Sequence, residues 1–330
     1  MTDVPRDTMK AIVFTRYGSP DALEMKDVAK PIPRDDQVLV KVHAASLNDW
    51  DLEALGGSQL VNRLIFGLLS PKKQILGSDI AGRIESVGSN VRRFQPGDEV
   101  FGDLSGEWGG FAEYVCASED ALVLKPHGMT FEQAAAIPQA AMLALQALRD
   151  TAGIQEGQKL LINGAGGGVG TFAIQLAKLY NAEVTAVDSH AKLDMLRSMG
   201  ATHVIDYERE DFTRNGQRYD LILDVKTTRS ILDCARSLSP GGTYVTVGGS
   251  MSRLFLGLLW WPWIAMTTNK RIRIVALKPN KGLAYMNELF EAGKVVPVID
   301  APYKLSEARE AFRYFATGRH KGKVVLSLAT

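Results

Sequence analysis

The stretch Leu160-Leu161-Ile162-Asn163-Gly164-Ala165-Gly166-Gly167-Gly168-Val169-Gly170 decides how this chain is read. A short apolar run ends in a turn with five glycines in seven residues. Ala173, Leu176, Ala177 and Tyr180 then fall at i, i+3, i+4 and i+7, one face of a helix. A plain strand-to-helix turn rarely needs so many glycines. Glycines let a backbone approach a pyrophosphate, and the helix N-terminus behind them offers free N–H groups and a positive dipole end. A strict G-x-G-x-x-G is absent, and the fit is Ala165-x-Gly167-x-x-Gly170. The strand–turn–helix context predicts a dinucleotide site built from Ala165, Gly166, Gly167, Gly168, Val169 and Gly170.

Downstream of this turn the texture is strand alternating with helix. Candidate strands are Leu160–Ile162, Val184–Val187, His203–Ile205, Leu221–Leu223, Tyr244–Val247 and Ile272–Ala276. Short apolar strands separated by helices predict a parallel sheet covered on both faces and doubly wound by right-handed crossovers. A helix is expected over Phe131–Arg149. Upstream, β-like runs at Ala11–Phe14, Val38–Val42, Ile80–Val87, Glu99–Phe101 and Phe111–Val115 are punctuated by turn signals such as Gln95-Pro96-Gly97-Asp98, the pattern of a β-rich half. The end of the chain offers strand-like Val295-Val296, a helix over Ser306–Ala316 and strand-like Val324–Leu326, and is placed back in the first domain. The expected division is a β-rich domain of residues 1–128 completed by 296–330, and a dinucleotide-binding domain of 129–295.

Asp188 ends the second strand of the α/β half, 23 residues beyond Ala165, where an acid can bond a ribose 2′-hydroxyl. Alone it favours NAD, since a carboxylate repels the 2′-phosphate of NADP. Ser189, His190 and Lys192 follow at once and can donate to or neutralise that phosphate, and Tyr207 can close the same corner. The chemistry leaves NAD and NADP both open. A glycine turn followed by an acid also describes S-adenosylmethionine methyltransferases, but these need neither a β-rich domain of this size in front nor a C-terminal segment completing it.

The length of 330 residues predicts two domains, at about 150 residues each. Lys+Arg number 38 and Asp+Glu 37, with no long block of either sign, which argues against a nucleic-acid footprint. Two cysteines, Cys116 and Cys234, cannot form a four-cysteine zinc module or a disulfide scaffold. The longest apolar run, Leu254–Met266, is thirteen residues broken by Pro262, short of the ~20 a bilayer span takes. The N-terminus has no apolar core segment, and a cytoplasmic location is expected.

Further motifs carry a resemblance. Met9-Lys10-Ala11, Ala45-Ser46-Leu47-Asn48-Asp49-Trp50-Asp51, Leu76-Gly77-Ser78-Asp79-Ile80-Ala81-Gly82, Pro96–Gly102, Gly110–Val115, Ala134–Pro138, Gly200–Tyr207 and Gly322-Lys323-Val324-Val325 stand in order along nearly the whole chain. In these the chain resembles the medium-chain dehydrogenase/reductase superfamily, and within it the zinc-free quinone oxidoreductase branch. The resemblance implies an α/β fold, a GroES-like β-rich domain plus a Rossmann doubly wound parallel-sheet domain, with the cofactor held between them. It implies a homodimer and a small-molecule quinone or enone acceptor.

It also implies roles. Zinc-dependent relatives hold catalytic zinc with two cysteines and a histidine. The matching positions here carry Asn48, Ser78-Asp79 and Gln139, so no thiolate or imidazole is at hand and zinc independence is expected. Asn48 becomes the candidate catalytic residue, a polar contact for the oxyanion formed when an enone or quinone accepts hydride. Asp51 and Asp79 read as supporting carboxylates rather than general acids, and Trp50 equally as cleft-lining or core. Gly166, Gly168, Val169 and Gly170 match pyrophosphate positions. Ser189 and Tyr207 match phosphate-end positions of NADPH-using members, and Arg319, His320 and Lys321 match a further cofactor-contacting run. NADPH-using members have a neutral residue where Asp188 stands; Lys192 partly offsets it, so NADPH is favoured and NADH kept as the alternative. The alternative to an enzyme is a non-catalytic NAD(P)H-binding regulatory or structural protein. The tryptophan-rich segment 251–273 and the apolar Leu60–Leu69 read as a pocket lid or subunit contact in preference to a peripheral membrane contact.

Overall fold

The computed structural model describes residues 7–57, 63, 64, 66–248, 269–300 and 302–328. Most of the tryptophan-rich segment, 251–268, lies outside the described residues, as do 60–62 and 65 of the second apolar stretch. The chain divides into two compact units. One holds the residues through Gln139, Pro279–Glu291 and the stretch from Pro297 on; the other holds Ala140–Lys278 and Ala292–Val296.

In the first unit, β1 (Thr8–Val13) and β2 (Glu24–Ala29) form an antiparallel pair. A seven-stranded sheet follows from β3 (Gln37–Ser46), β4 (Asp79–Val87), β5 (Glu99–Asp103), β6 (Tyr114–Ser118), β7 (Val123–Leu124), β14 (Tyr303–Lys304) and β15 (Val325–Ser327). Its order is β14-β15-β3-β4-β5-β7, with β6 also paired to β3. The long strand β3 is central because Val38, Val40, Val42, Ala44, Ala45 and Ser46 are all buried, leaving Lys41 exposed in its middle. Helix α1 (Asp49–Gly56) comes directly off β3.

The terminal helix of this unit, Ala308–Ala316, buries Ala308, Ala311, Phe312 and Phe315, an i, i+3, i+4, i+7 stripe. Phe312 meets Phe111 edge-on at a centroid distance of 5.7 Å. That contact accounts for a difference from the sequence reading. The run Phe111–Val115 is not one strand: Phe111 turns into the core, Ala112 bridges Ala11, and β6 begins only at Tyr114.

Among its described residues the second unit has six strands, β8 (Lys159–Asn163), β9 (Glu183–Asp188), β10 (His203–Asp206), β11 (Tyr219–Asp224), β12 (Leu238–Thr246) and β13 (Arg271–Ile274). All pair in parallel, in the order β10-β9-β8-β11-β12-β13. Numbered within the unit this is 3-2-1-4-5-6, the doubly wound order whose reversal lies between β8 and β11 and opens a crevice at the strand ends. At that reversal Asp224 accepts from Asn163 Nδ2 at 2.8 Å, from Tyr244 Oη at 2.7 Å and from the Thr227 N–H at 2.8 Å. The buried carboxylate is therefore satisfied and ties the two switch strands together.

The helix expected over Phe131–Arg149 is broken. Residues Phe131–Ala135 form one short helix, Pro138–Leu145 a second, and 146–152 a π-helical turn closed by Gly153 at φ 67°. Pro138 has no N–H and disfavours helical backbone at Ile137. The break also moves the seam between the units later than residue 128. The first short helix stays with the β-rich unit, where Phe131 stacks on His43 of β3 at 4.3 Å and Glu132 accepts from Ser327 Oγ at 3.1 Å. Pro279–Glu291 belongs there too, since Asn280 exchanges two hydrogen bonds with the Asp103 backbone, at 2.7 and 2.9 Å.

Candidate active site

The glycine turn joins β8 to an eleven-residue helix, Gly168–Lys178. Its glycines serve different ends. A Cβ on Gly170 would come within 2.5 Å of Ala165 Cα and of the carbonyl oxygens of Gly164 and Ala165, so only glycine lets the helix seat against its own turn. A Cβ on Gly166 would meet Lys192 Cδ at 2.5 Å; here the room is used by a side chain of the same unit, which sequence reasoning did not foresee. At Gly167 the nearest atom to a built Cβ is 3.8 Å away. The backbone at the helix start is thus open to a ligand, as a pyrophosphate cradle requires.

Asp188, Ser189, Lys192 and Tyr207 do come together at the ends of β9 and β10. The Asp188 carboxylate accepts from the Gly166 N–H at 2.7 Å and the Ser189 N–H at 2.8 Å, and Lys192 Nζ stands 3.4 Å from its Oδ1. Both charged side chains are buried, with 3% of Lys192 and 8% of Asp188 exposed. A carboxylate held by two backbone donors and an ammonium is neutralised where it sits, and the offset of Asp188 by Lys192 expected from the sequence takes the form of a buried pair. Tyr207 is 48% exposed and its N–H donates to the Asp188 carbonyl at 3.2 Å. His190 turns instead to Asp206, at 3.7 Å.

The run Arg319-His320-Lys321 lies in the first unit, after its terminal helix. His320 is buried and stacks on Phe315 at 4.5 Å, and the Lys321 N–H donates to Asp300 at 2.9 Å. The structure places the His320 ring in the core; Arg319 has its N–H on Thr317 Oγ1 at 3.2 Å.

Asn48 precedes α1, whose first turn reaches back to it: the Asn48 N–H donates to Asp51 Oδ2 at 2.8 Å. The Asn48 side chain is occupied by a residue the sequence analysis passed over. Lys323 Nζ donates to Asn48 Oδ1 at 2.6 Å and to the Leu47 carbonyl at 2.9 Å, and lies 3.6 Å from Asp79 Oδ2. On its nitrogen side Asn48 donates to Ser78 Oγ at a long 3.4 Å. Asp79 Oδ2 also accepts from the Gln139 N–H at 3.2 Å and Ser46 Oγ at 3.4 Å. The three positions that stand where zinc-dependent relatives carry ligands are therefore gathered around one buried ammonium.

Sheet register explains the convergence. Val325, Ser46, Asp79 and Asp103 face one another in a single row across β15, β3, β4 and β5, and Lys323 stands just before β15. Asp79 and Asp103 are directly opposite, an arrangement that costs stability when both are charged. Oxygens Asp79 Oδ1 and Asp103 Oδ2 are buried without a hydrogen-bond partner. Burial raises both carboxyls, and for Asp79 the Lys323 ammonium pulls the other way while the Asp103 carboxyl adds to the rise. Burial in turn lowers the Lys323 ammonium, opposed by Asp79, Asp51 and Asp49.

Burial also pushes the Asp51 carboxyl up to about 7, the N–H groups of Asn48 and Gly77 holding back part of the rise. An unfolded aspartate titrates near ~3.9, so between those values the native chain keeps a proton that the unfolded chain has released. This group's contribution is complete at the acid end and lost as pH rises toward 7. Asp51→Asn is expected to flatten the decline in unfolding free energy from about pH 5 to 7, by at most ~1.4 kcal/mol per pH unit for one proton. Urea melts at stepped pH measure it; a decline of equal slope in the variant would assign the proton elsewhere.

Two grooves, of about 580 and 300 Å³, hold none of the sequence-predicted site residues. Among the described residues no group of three or more His, Cys, Asp and Glu side chains could hold a metal ion, and no helix is long and apolar enough to cross a membrane.

Comparison with known proteins agrees with this geometry. Residues 34–127 match the alcohol dehydrogenase GroES-like domain family and residues 199–326 the zinc-binding dehydrogenase family. A 2-methylene-furan-3-one reductase of Solanum lycopersicum is 35% identical over 331 residues, spanning 96% of this chain and 79% of that protein. A chloroplastic NADPH-dependent alkenal/one oxidoreductase of Arabidopsis thaliana is 33% identical over 338 residues, spanning 98% of this chain and 80% of the relative. The solved quinone oxidoreductase from Coxiella burnetii superposes with a TM-score of 0.89 at 33% identity, covering 98% of this chain and all of that one.

Proposed function

The chain belongs to the medium-chain dehydrogenase/reductase superfamily, and from that premise we propose that it is a zinc-independent oxidoreductase that passes hydride from NADPH to an enone or quinone. The observation that carries the reading is similarity over almost the entire chain to reductases named for such acceptors. The glycine turn and the helix Gly168–Lys178 would hold the pyrophosphate, and Ser189, Lys192 and Tyr207 the phosphate end. When bound, a reduced nicotinamide supplies the hydride.

The chain's own part is to orient the acceptor and receive the negative charge that appears on its oxygen. Asn48 presents amide N–H groups for that oxygen, since Lys323 holds the carbonyl end of the same amide. A proton from water completes the α-carbon of an enone. The side chains Asn48, Ser78 and Gln139 are poor ligands for zinc, which takes thiolate, imidazole or carboxylate, and the carboxylate at these positions, Asp79, is engaged by Lys323, the Gln139 N–H and Ser46, so charge stabilisation falls to the protein's donors. A neutralised Asp188 supports NADPH over NADH. Catalysis is favoured over a purely binding role because Asn48 is tied in place by an organised polar set. A homodimer and a cytoplasmic location belong to the same proposal.

The test is the decay of the reduced-nicotinamide absorbance in the purified chain with NADPH or NADH, with benzoquinone or methyl vinyl ketone added. Acceptor-dependent NADPH oxidation is expected. Cofactor binding with no turnover of any acceptor would favour the non-catalytic alternative.

A further inference from the structure

Lys323 is a lysine enclosed to 3% exposure, and burying an ammonium costs several kcal/mol that its partners must offset. The partners are an amide, a backbone carbonyl and the Asp79 carboxylate, with Asp51 and Asp49 acting on the ammonium from farther off. A merely structural tie between β15 and β3 could be made by an apolar side chain at less cost, because the strands are already paired through Val325–Ser46 and Leu326–Ala45. What an ammonium does that an apolar group cannot is set the orientation of an amide. Lysine is donor only, so an amide facing it turns its oxygen inward and its nitrogen away. The 2.6 Å contact is that arrangement, and Nδ2 is shared between Ser78 Oγ, at a long 3.4 Å, and the Asp79 carboxylate, weak partners that an incoming oxygen bearing negative charge can displace.

We propose that Lys323 is a positioning residue for the reaction: through its bond to Asn48 Oδ1 it fixes and polarises the Asn48 amide, so that Nδ2 donates to the oxygen on which negative charge develops. Hydrogen bonds in series polarise one another, and a fixed cation behind the amide makes its N–H groups better donors at the moment charge appears on the acceptor. The benefit arises in the transition state rather than in ground-state binding and therefore acts on kcat more than on KM. Gly322, at φ 69° with Val298 O only 2.1 Å from a built Cβ, sets the turn that delivers Lys323 to this place. The inference rests on the reductase reading, with Asn48 as the oxyanion contact.

The test compares wild type, Lys323→Met, Lys323→Arg, Asn48→Ala and the Asn48→Ala/Lys323→Met pair, reading kcat and KM for methyl vinyl ketone, the NADPH dissociation constant and the melting temperature. Lys323→Met is expected to lower kcat by about 30- to 100-fold with KM and NADPH affinity within about threefold. Lys323→Arg should recover most of the loss. In the Asn48→Ala background the same change should cost almost nothing further, since the residue through which it acts is gone. Full kcat in Lys323→Met, equal loss in Lys323→Arg, or losses that multiply in the pair would each overturn the proposal while leaving the reductase reading intact. A wild type that turns over no acceptor removes both. Should Lys323→Met not fold, Lys323→Met/Asp79→Asn, which deletes both members of the buried pair, carries the test on the same criteria, with its kcat set against Asp79→Asn alone.

Discussion

Asn48→Ala is expected to lower kcat/KM for an enone by about 10²- to 10³-fold, the loss seen when one preorganised oxyanion donor is removed, with NADPH affinity changed by less than about threefold. The expectation follows from three features of one side chain. It is buried, so water competes weakly for its N–H groups. Its oxygen is held at 2.6 Å by Lys323, so the donor end is fixed before an acceptor arrives and little reorganisation accompanies the reaction. Its backbone is held separately, by the Asn48 N–H to Asp51 bond at the start of α1, so removing the amide leaves the helix start in place. The substitution does strand Lys323 Nζ without its shortest contact, and a fall in melting temperature of a few degrees is expected alongside. Steady-state kinetics with NADPH held saturating measures the effect. A drop confined to KM would mean that Asn48 binds the acceptor equally in ground and transition states, and an unchanged kcat/KM would remove it from the reaction.

The second large effect concerns the cofactor. Lys192→Met is expected to weaken NADPH binding by about 10- to 100-fold, the worth of a charge-assisted contact to phosphate, and to leave NADH within about threefold. In the native chain Lys192 and Asp188 form a buried pair whose charges cancel beside the turn. Removing the ammonium does not remove the acid: Asp188 keeps its two backbone donors from Gly166 and Ser189, now with no ammonium beside it. A 2′-phosphate then meets net negative charge where it previously met none. NADH has only a hydroxyl there, which a carboxylate can accept from. Fluorescence titration with each nucleotide gives the ratio directly. Equal weakening of both would show that Lys192 acts by supporting the turn over Gly166, which its Cδ overlies, and that phosphate selection lies elsewhere.

Asn48 and Lys323 had different histories in the sequence. Asn48 was legible because it occupies a motif position where metal-dependent relatives carry a ligand, and the glycine turn because its spacing announces both the bend and the helix. The six parallel strands were legible from apolar runs at helical separations, and each overlaps the run that announced it, although β12 begins six residues earlier, at Leu238. The break at Pro138 had its signal in plain view, since a proline inside a helical pattern ends it. Lys323 stood in the family motif Gly322-Lys323-Val324-Val325, which by itself gave it no role. A lysine between Gly322 and a Val-Val-Leu run reads as an exposed residue at a strand start, and only the pairing of β15 with β3 turns it inward.

Chain order and local chemistry alone determined that there would be a parallel, doubly wound unit with a glycine-rich turn leading into a helix, and a β-rich partner closed by the C-terminal segment, because strand period, helix period and glycine placement are local properties. Tertiary structure alone decided which charges meet. Residues 46, 79, 103 and 323 are separated by 24 to 277 positions and are brought into one buried group by the register of four strands. The protonation state of a carboxylate depends on what surrounds it within a few ångströms, and no sequence position carries that information until the sheet has closed.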